Sequence, residues 1–334
     1  MRRALQWFSK HLPVTRAQPD RHLASGQTSM TVLVPSSGAD PLAVRATMLS
    51  AALQERPSVR VVLLLDDDPY PADSDDAARL AETRAIAGDI MRLLAEPWRR
   101  ASDALLRFEL EHSGDANADA SEARALAGEY AWAAGWLRDL AEGEESDDAV
   151  GRLLADQVLR TLADELAVIG EAAATAAVAL SADRVNELYS RLAWIFGAEL
   201  TVFERRKYSS TSHAPTTSSN VDAYRALMGG AHRIEETPDG TALKPAAERR
   251  PGDIRVPGSD AVLTLDAGSL LLRDSSRLLA YSLQGPDAAR DVGARETAEA
   301  ATDADVLAWR GMLYHCDAGD TLRDFAGSGD PTGK

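Results

Sequence analysis

Cysteine, aromatic residues and long apolar runs are all scarce in this chain of 334 residues. The one cysteine, Cys316, cannot form a disulfide within the chain, which agrees with a reducing compartment. Aromatic residues make up only 5% of the sequence, so aliphatic side chains and alanine must build the core. No run reaches the roughly 18 apolar residues that a membrane-spanning helix needs. We therefore predict a chain without a transmembrane segment, located in the cytoplasm, either free or associated with the inner face of the membrane.

Positively charged residues are also scarce. The chain has 36 Lys and Arg against 52 Asp and Glu, so its formal net charge is −16. Such a chain is repelled by the phosphates of nucleic acids and by anionic lipids. We therefore expect no nucleic-acid partner. An anionic small molecule is not excluded, because one bound metal ion inverts the local electric field.

Two apolar runs near the start of the chain predict buried, parallel strands. Residues 30–35 read MTVLVP, and residues 59–65 read VRVVLLL before an Asp-rich turn. Between them, residues 41–54 have helical spacing, with Asp40 as the N-cap and Pro41 at the first helical position. A strand, a helix and a strand in this order form a βαβ unit, whose strands are parallel. A third run, residues 261–266, predicts a further buried strand of the same sheet.

Composition divides the rest of the chain into parts of different character. Residues 72–200 are rich in Ala, Leu, Glu, Asp and Arg and predict a large helical insertion, in which Pro97 interrupts or restarts the first helix. We predict an N-terminal extension over residues 1–28 and an α/β domain in two parts, residues 29–71 and 201–292. The helical insertion, residues 72–200, separates the two parts. Residues 293–334 are predicted to form a polar, disordered tail. The predicted helices outside the βαβ unit are residues 74–96, 121–142, 147–170, 182–196, 221–228 and 269–284.

Aspartates follow two of the three predicted strands. Asp66 and Asp67 come directly after the second strand, and Asp266 ends the third. Ligands of open α/β sheets lie beyond the carboxyl ends of the strands. A nucleoside diphosphate sugar needs an acceptor for its base or ribose, a metal for its diphosphate and donors for its sugar. Asp66 or Asp67 could accept a hydrogen bond from the base or ribose, and Asp266 could help to hold the metal or the sugar. An Asp after a strand is, however, also a common turn former.

A basic cluster, Arg205-Arg206-Lys207, is the other candidate for a diphosphate contact. The alternative is the solvated end of a helix. No Gly-rich dinucleotide or P-loop fingerprint accompanies it.

The order of these pieces resembles the family 2 glycosyltransferases, which have the GT-A fold. The resembling segments are TVLVPSSGADPLAVRATMLSAALQERPSVRVVLLLDDDPYP and LMGGAHRIEETPDGTALKP…DAVLTLDAGSLLLRDSSRLL. In that family a Val-Pro loop follows the first strand, an Asp after the second meets the nucleoside, and a later Asp-x-Asp meets the ribose, diphosphate and metal. The resemblance implies a donor site with Pro35, Ser36, Asp66, Asp67 and Asp266.

The resemblance also implies a fold, a reaction and its partners. The fold would be a GT-A-like (Rossmann-like), mostly parallel α/β sheet with a large helical insertion. The protein would transfer a hexose from a nucleotide-sugar donor, with a UDP-hexose expected, to an acceptor that the sequence does not identify. Asp266 would hold Mg²⁺ or Mn²⁺, which need only one or two protein carboxylates because they keep bound waters.

The sequence departs from the family pattern where catalysis would need it. Gly268 stands at the second Asp of Asp-x-Asp, so the motif reads Asp266-Ala267-Gly268. We find no Glu-Asp motif that would supply the catalytic base, no acceptor half and no membrane helices, so the catalytic residues are not identified. Two alternatives therefore stand beside an active transferase: a degenerate or truncated non-catalytic relative, and a helical interaction module.

Overall fold

A computed structural model of the chain describes residues 29–112, 119–146, 148–176, 180–211, 216–248 and 250–272, together with the backbone of residues 313–315. The predicted extension, residues 1–28, lies outside the described residues. So do the predicted tail, except residues 313–315, and the larger part of the helix predicted at residues 269–284.

The described strands form three sheets. In chain order they are β1 Met30–Ser36, β2 Val59–Leu65, β3 Glu199–Glu204, β4 Gly230–Thr237, β5 Gly240–Pro245, β6 Ile254–Val256, β7 Ala261–Thr264, β8 Ser269–Leu271 and β9 Leu313–His315. A four-stranded sheet has the order β3-β2-β1-β7, and each neighbouring pair in it is parallel. An antiparallel sheet has the order β5-β4-β6, and β8 pairs antiparallel with β9. The predicted α/β class with a parallel sheet is confirmed.

The described helices lie mostly between β2 and β3. They are α1 Pro41–Ala52, α2 Ser74–Glu111, α3 Ala120–Glu144, α4 Ala149–Leu153, α5 Thr161–Ala174, α6 Ala182–Phe196 and α7 Thr217–Arg225, with a π-helical turn Leu154–Arg160 and a 3₁₀ turn Arg205–Lys207. The helices predicted at residues 121–142 and 182–196 are confirmed as α3 and α6. In the part of the chain that the structure describes, no helix combines the length and the apolar character needed to cross a bilayer.

The centre of the parallel sheet matches the prediction closely. β1 and β2 pair residue by residue from Met30 with Val59 to Ser36 with Leu65. Every residue of β1 is buried, as expected for a strand covered on both faces. Pro35 is tolerated in this central strand because β7 pairs with β1 only as far as Leu33.

The third predicted strand is an edge strand, so the prediction of a buried strand over residues 261–266 was wrong in part. β7 covers only Ala261–Thr264. Ala261 is buried, Val262 is 40% exposed and Thr264 is exposed. This alternation is typical of a strand with one face in solvent. Among the described strands, β7 is also at the edge of the sheet, next to β1.

The two faces of the parallel sheet support two separate apolar clusters. Val32, Val61 and Leu63 point into the larger cluster, which they share with α1 and the helices between β2 and β3. Leu33, Val62 and Leu64 point into a smaller cluster, whose other buried members come from β3, α7 and the antiparallel sheet: Phe203, Tyr224, Leu243 and Val256. The alternation along each strand therefore sorts side chains between a helical layer and a second, smaller layer.

Pro97 neither interrupts nor restarts α2, contrary to the prediction. The helix runs without a break from Ser74 to Glu111 with Pro97 inside it. Proline costs about 3 kcal/mol inside a helix because it lacks an N–H and clashes with the preceding turn. The apolar face of α2 on both sides of Pro97, including Leu94, Ala101 and Phe108, is buried and packs against α6, and this burial outweighs the cost.

Three other segments differ from the prediction. Residues 147–170 were expected to form one helix, but α4 and α5 are joined by the π-helical turn Leu154–Arg160. β3 begins at Glu199 and had not been recognised as a strand. Residues 269–271, expected in a helix, form β8.

Two helical glycines offer a test of how closely α3 and α5 pack. A Cβ at Gly170 in α5 would lie 3.1 Å from Tyr130 Cβ and 3.2 Å from Ala127 O on α3, whereas a Cβ at Gly128 would meet nothing within 4 Å. We expect Gly128→Ala to raise the unfolding free energy by about 0.5–1 kcal/mol, because Ala favours the helix over Gly. Gly170→Ala should lower it by about 1 kcal/mol, since overpacking outweighs that gain. Urea denaturation measures both, and equal stabilisation by the two variants would contradict the close packing.

Candidate functional site

The candidate site is the carboxyl edge of the parallel sheet. α1 carries the chain from β1 to β2 on one side, while β7 lies on the other side of β1, so the strand order reverses at β1. In such sheets the crevice at the reversal point, beyond the carboxyl ends of the strands, is the usual place for a ligand. The residues at this edge follow β1, β2, β3 and β7.

Asp66 holds the ends of three strands together. Its backbone N–H donates to Ser36 O at 3.0 Å, at the end of β1. Its carboxylate accepts two hydrogen bonds from Arg205, from Nε at 2.8 Å and from Nη2 at 2.7 Å. Arg205 is fully buried, at 0% exposure. The Asp66 side chain therefore faces a buried guanidinium beside β3, in the two-pronged geometry that makes such pairs strong.

Asp67 faces the loop that follows β1. Its Oδ1 accepts a hydrogen bond from the backbone N–H of Gly38 at 2.9 Å. Gly38 has φ +63°, a left-handed conformation that glycine adopts without strain. Asp67 is half-buried, and thus it ties the loop after β2 to the loop after β1 at the point where the sheet order reverses.

Pro35 and Ser36 lie within β1 and are both buried. Pro35 is paired in register with Leu64 of β2, and Ser36 contributes its carbonyl oxygen to the hydrogen bond with Asp66. At this edge, Pro35 and Ser36 position the loop that begins at Ser37.

The three residues of the basic cluster have different surroundings. Arg205 is buried against Asp66, so it is neither a free diphosphate contact nor part of a solvated end. Lys207 Nζ lies 2.7 Å from Glu204 Oε1. Arg206 is exposed, and its Nη1 donates to Asp66 O at 3.3 Å. Arg206 and Lys207 are both exposed, and Lys207 is paired with Glu204, so Arg206 is the member of the cluster that we consider for a ligand contact.

Glu204, at the end of β3, is held by two cations. Arg84 of α2 donates to Glu204 Oε2 at 2.6 Å and to Pro69 O at 3.0 Å. Burial favours the neutral acid, but the hydrogen bonds from Arg84 and Lys207 keep the pKa of Glu204 below its usual value. The carboxylate is therefore a fixed anchor between α2, β3 and the loop after β2.

A second arginine of α2 reaches the loop after β1. Arg79 Nη2 lies 3.9 Å from the position that a Cβ on Gly38 would take. It is also 2.7 Å from Asp76 Oδ1, and the side chain of Arg79 is 39% exposed. Arg79 thus brings a solvent-accessible positive charge to the loop that Asp67 holds.

Asp266 is exposed and begins a tight turn after β7. Its backbone O accepts from Ser269 N at 3.0 Å. Gly268 within this turn is buried, with φ +87°, and its N–H donates to Thr47 Oγ1 at 2.9 Å. The position at which the family pattern has its second Asp is therefore a left-handed glycine whose amide is bound to α1.

Polar side chains on one face of α1 hold the segment after this turn. Thr47 and Ser50 accept from the N–H groups of Gly268 and Leu271, at 2.9 Å and 3.0 Å. Gln54 Nε2 donates to Leu271 O at 3.2 Å. The spacing of three residues places Thr47 and Ser50 on one face of α1, and Gln54 follows two residues after the end of the helix. Because this face supplies partners to an extended backbone, residues 269–271 form β8 instead of the predicted helix.

Asn220 on α7 was not singled out from the sequence. Its side chain is 1% exposed, and its Nδ2 donates to Leu64 O at 2.9 Å, near the end of β2. Its Oδ1 has no hydrogen-bond partner among the described residues. An unsatisfied buried acceptor costs roughly 1–3 kcal/mol. An Asn four residues before the aromatic Tyr224 gives no signal of this contact in the sequence.

Comparison of the chain with protein-family models, with curated proteins and with solved structures finds no match. The site is therefore interpreted from its own geometry.

The ion pair between Asp66 and Arg205 is open to a direct test. We expect Asp66→Asn to lower the unfolding free energy by about 3–5 kcal/mol, because a fully buried guanidinium loses its carboxylate while the side-chain shape is kept. Asp68→Asn is the matched control: Asp68 is exposed and its amide variant still accepts from Tyr70 N, so a change within about 0.5 kcal/mol is expected. Urea denaturation of both variants gives the comparison. Similar small changes in the two would show that the pair is not buried as described.

Proposed function

We propose that this chain is a glycosyltransferase-like protein with a GT-A-like sheet, which binds a nucleoside diphosphate sugar at the carboxyl edge of β1, β2 and β7. A UDP-hexose is the expected donor. The observation that carries the proposal is Asp67, a half-buried carboxylate bound to the Gly38 amide at the reversal point of a parallel β3-β2-β1-β7 sheet. This is where open α/β sheets bind nucleotides.

Asp67 would bind the nucleoside, since the carboxylate of Asp66 is already paired with Arg205. A carboxylate has about four acceptor positions, so the bond from Gly38 leaves Asp67 able to accept from a ribose hydroxyl or a base N–H. Asp66 then acts as a positioning residue, which fixes the backbone from which Asp67 projects.

The diphosphate would bind to Arg206, which is exposed, and to Arg79, whose side chain is 39% exposed. Asp266 fits a Mg²⁺ or Mn²⁺ ion as its one protein carboxylate, because it is exposed and Gly268 supplies no side chain. Such an ion would be held mainly by the diphosphate oxygens and by water, as these cations often are.

Calorimetric titration of UDP and UDP-glucose, with and without MnCl₂, tests donor binding. We expect Asp67→Asn to weaken binding about tenfold or more, because a hydrogen bond to a charged group contributes about 1.5–3 kcal/mol. Asn still accepts from Gly38, so the loop should keep its position. Asp68→Asn removes the same charge one residue away and should leave the affinity within about twofold.

Donor binding at this edge would be refuted by the absence of heat at millimolar ligand. Equal affinities of the Asp67 and Asp68 variants would refute the assignment of Asp67 to the nucleoside.

A non-catalytic relative is the second candidate, and the conformation of Gly268 favours it. A side chain at φ +87° is strained, and the amide there is bound to Thr47, so the turn is built around glycine instead of being an eroded Asp-x-Asp. We expect Gly268→Asp to lower the unfolding free energy by about 1 kcal/mol, with no gain in Mn²⁺-dependent UDP binding.

Gly268→Ala is the matched control, because it introduces the same backbone strain without a carboxylate. Stronger Mn²⁺-dependent binding by Gly268→Asp than by Gly268→Ala would overturn the non-catalytic alternative and favour a transferase with a weakened metal site.

A further inference from the structure

A cluster of potential metal ligands lies far from the sheet edge, where α2 ends and α3 begins. Glu111 is the last residue of α2, His112 is its C-cap, and Glu122 is in the first turn of α3. One ligand atom from each of these side chains lies within 4.8 Å of the others. The three side chains therefore converge from two helices on one point.

Glu122 is the buried member of the cluster, at 7% exposure. Its Oε1 accepts a hydrogen bond from the Tyr189 hydroxyl of α6 at 2.6 Å. Arg107 also contacts the Tyr189 hydroxyl. Tyr189 thus fixes the orientation of the Glu122 carboxylate from behind, as the outer partners of metal-binding carboxylates do.

His112 is oriented in the way that metal-binding histidines are. Its Nδ1 lies 3.3 Å from Phe108 O, and its ring stacks on Phe108 with the ring centroids 4.6 Å apart. A proton on Nδ1 that is donated to this carbonyl leaves Nε2 as the nitrogen with a free lone pair. A backbone carbonyl is a common partner for the second nitrogen of a histidine that binds a metal.

The charge of the cluster also favours a cation. Two carboxylates so close together repel each other, and Arg107, which contacts Tyr189, is the cation that the described contacts bring to this neighbourhood. A divalent ion would offset both negative charges at once. One imidazole and two carboxylates form a donor set that suits Zn²⁺, with water at the fourth position.

We propose that Glu111, His112 and Glu122 bind one Zn²⁺ ion, which joins the end of α2 to the start of α3. The ion would act as a structural link between two helices whose connecting residues, 113–118, lie outside the described part of the chain. The proposal does not depend on donor binding at the sheet edge.

Calorimetric titration of the metal-free full chain with Zn²⁺ tests the site, with Co²⁺ absorbance as a probe of the ligands. We expect Glu111→Gln and His112→Ala each to weaken one Zn²⁺ site at least tenfold. Glu109→Gln removes a charge from an exposed position on the same helix and should leave the affinity within about twofold. Other histidines and Cys316 could also bind zinc, so the comparison among variants is the decisive readout.

Thermal unfolding provides a second readout, in which the difference between the unmodified chain and the variants reports on this site. Saturating Zn²⁺ should raise the melting temperature of the unmodified chain and of Glu109→Gln by roughly 5 °C. The double variant Glu111→Gln/His112→Ala should show a clearly smaller rise. Circular dichroism should confirm that it folds, since Glu111 is exposed and His112 is half-buried at the helix end. The proposal is overturned if the double variant binds Zn²⁺ as tightly as the unmodified chain, or if neither chain binds it at micromolar concentration.

Discussion

The buried ion pair between Asp66 and Arg205 is the constraint on which the candidate site depends. Arg205 is at 0% exposure, and a charge so placed is stable only if it is paired and hydrogen-bonded. Asp66 supplies that pairing from the end of β2, while its backbone N–H binds Ser36 at the end of β1. One residue thereby fixes the carboxyl ends of β1, β2 and β3 relative to each other.

This arrangement gives two neighbouring aspartates different tasks. Asp66 points toward β3, and its carboxylate is bound to Arg205. Asp67 points to the opposite side and binds the backbone N–H of Gly38. On the other side of β1, the turn after β7 is held by Thr47 of α1. The edge is therefore a set of loops tied to neighbouring elements by specific hydrogen bonds, and such preorganised loops are what a nucleotide site requires.

The elements that the sequence predicts well are those whose pattern is local. β1, β2 and α1 follow from β-branched runs and from the Asp40 cap. β8 could not be predicted, because its partners on α1 lie 221 residues away in the chain. The same holds for the site: the sequence places carboxylates after strands, but the choice between Asp66 and Asp67 is decided by Arg205, 139 residues further on. Glu111, His112 and Glu122 come together only through the packing of α2 and α3.

The central claim, a nucleotide-sugar site at the carboxyl edge of the sheet, is tested most directly by locating the bound ligand. Hydrogen exchange of the full chain, followed by mass spectrometry with and without UDP-glucose and Mn²⁺, reports on each loop separately. The account predicts slower exchange in peptides that cover residues 36–42 and 66–72, and unchanged exchange in α3. Unchanged exchange in both loops under millimolar ligand, or protection confined to the helices between β2 and β3, would contradict it.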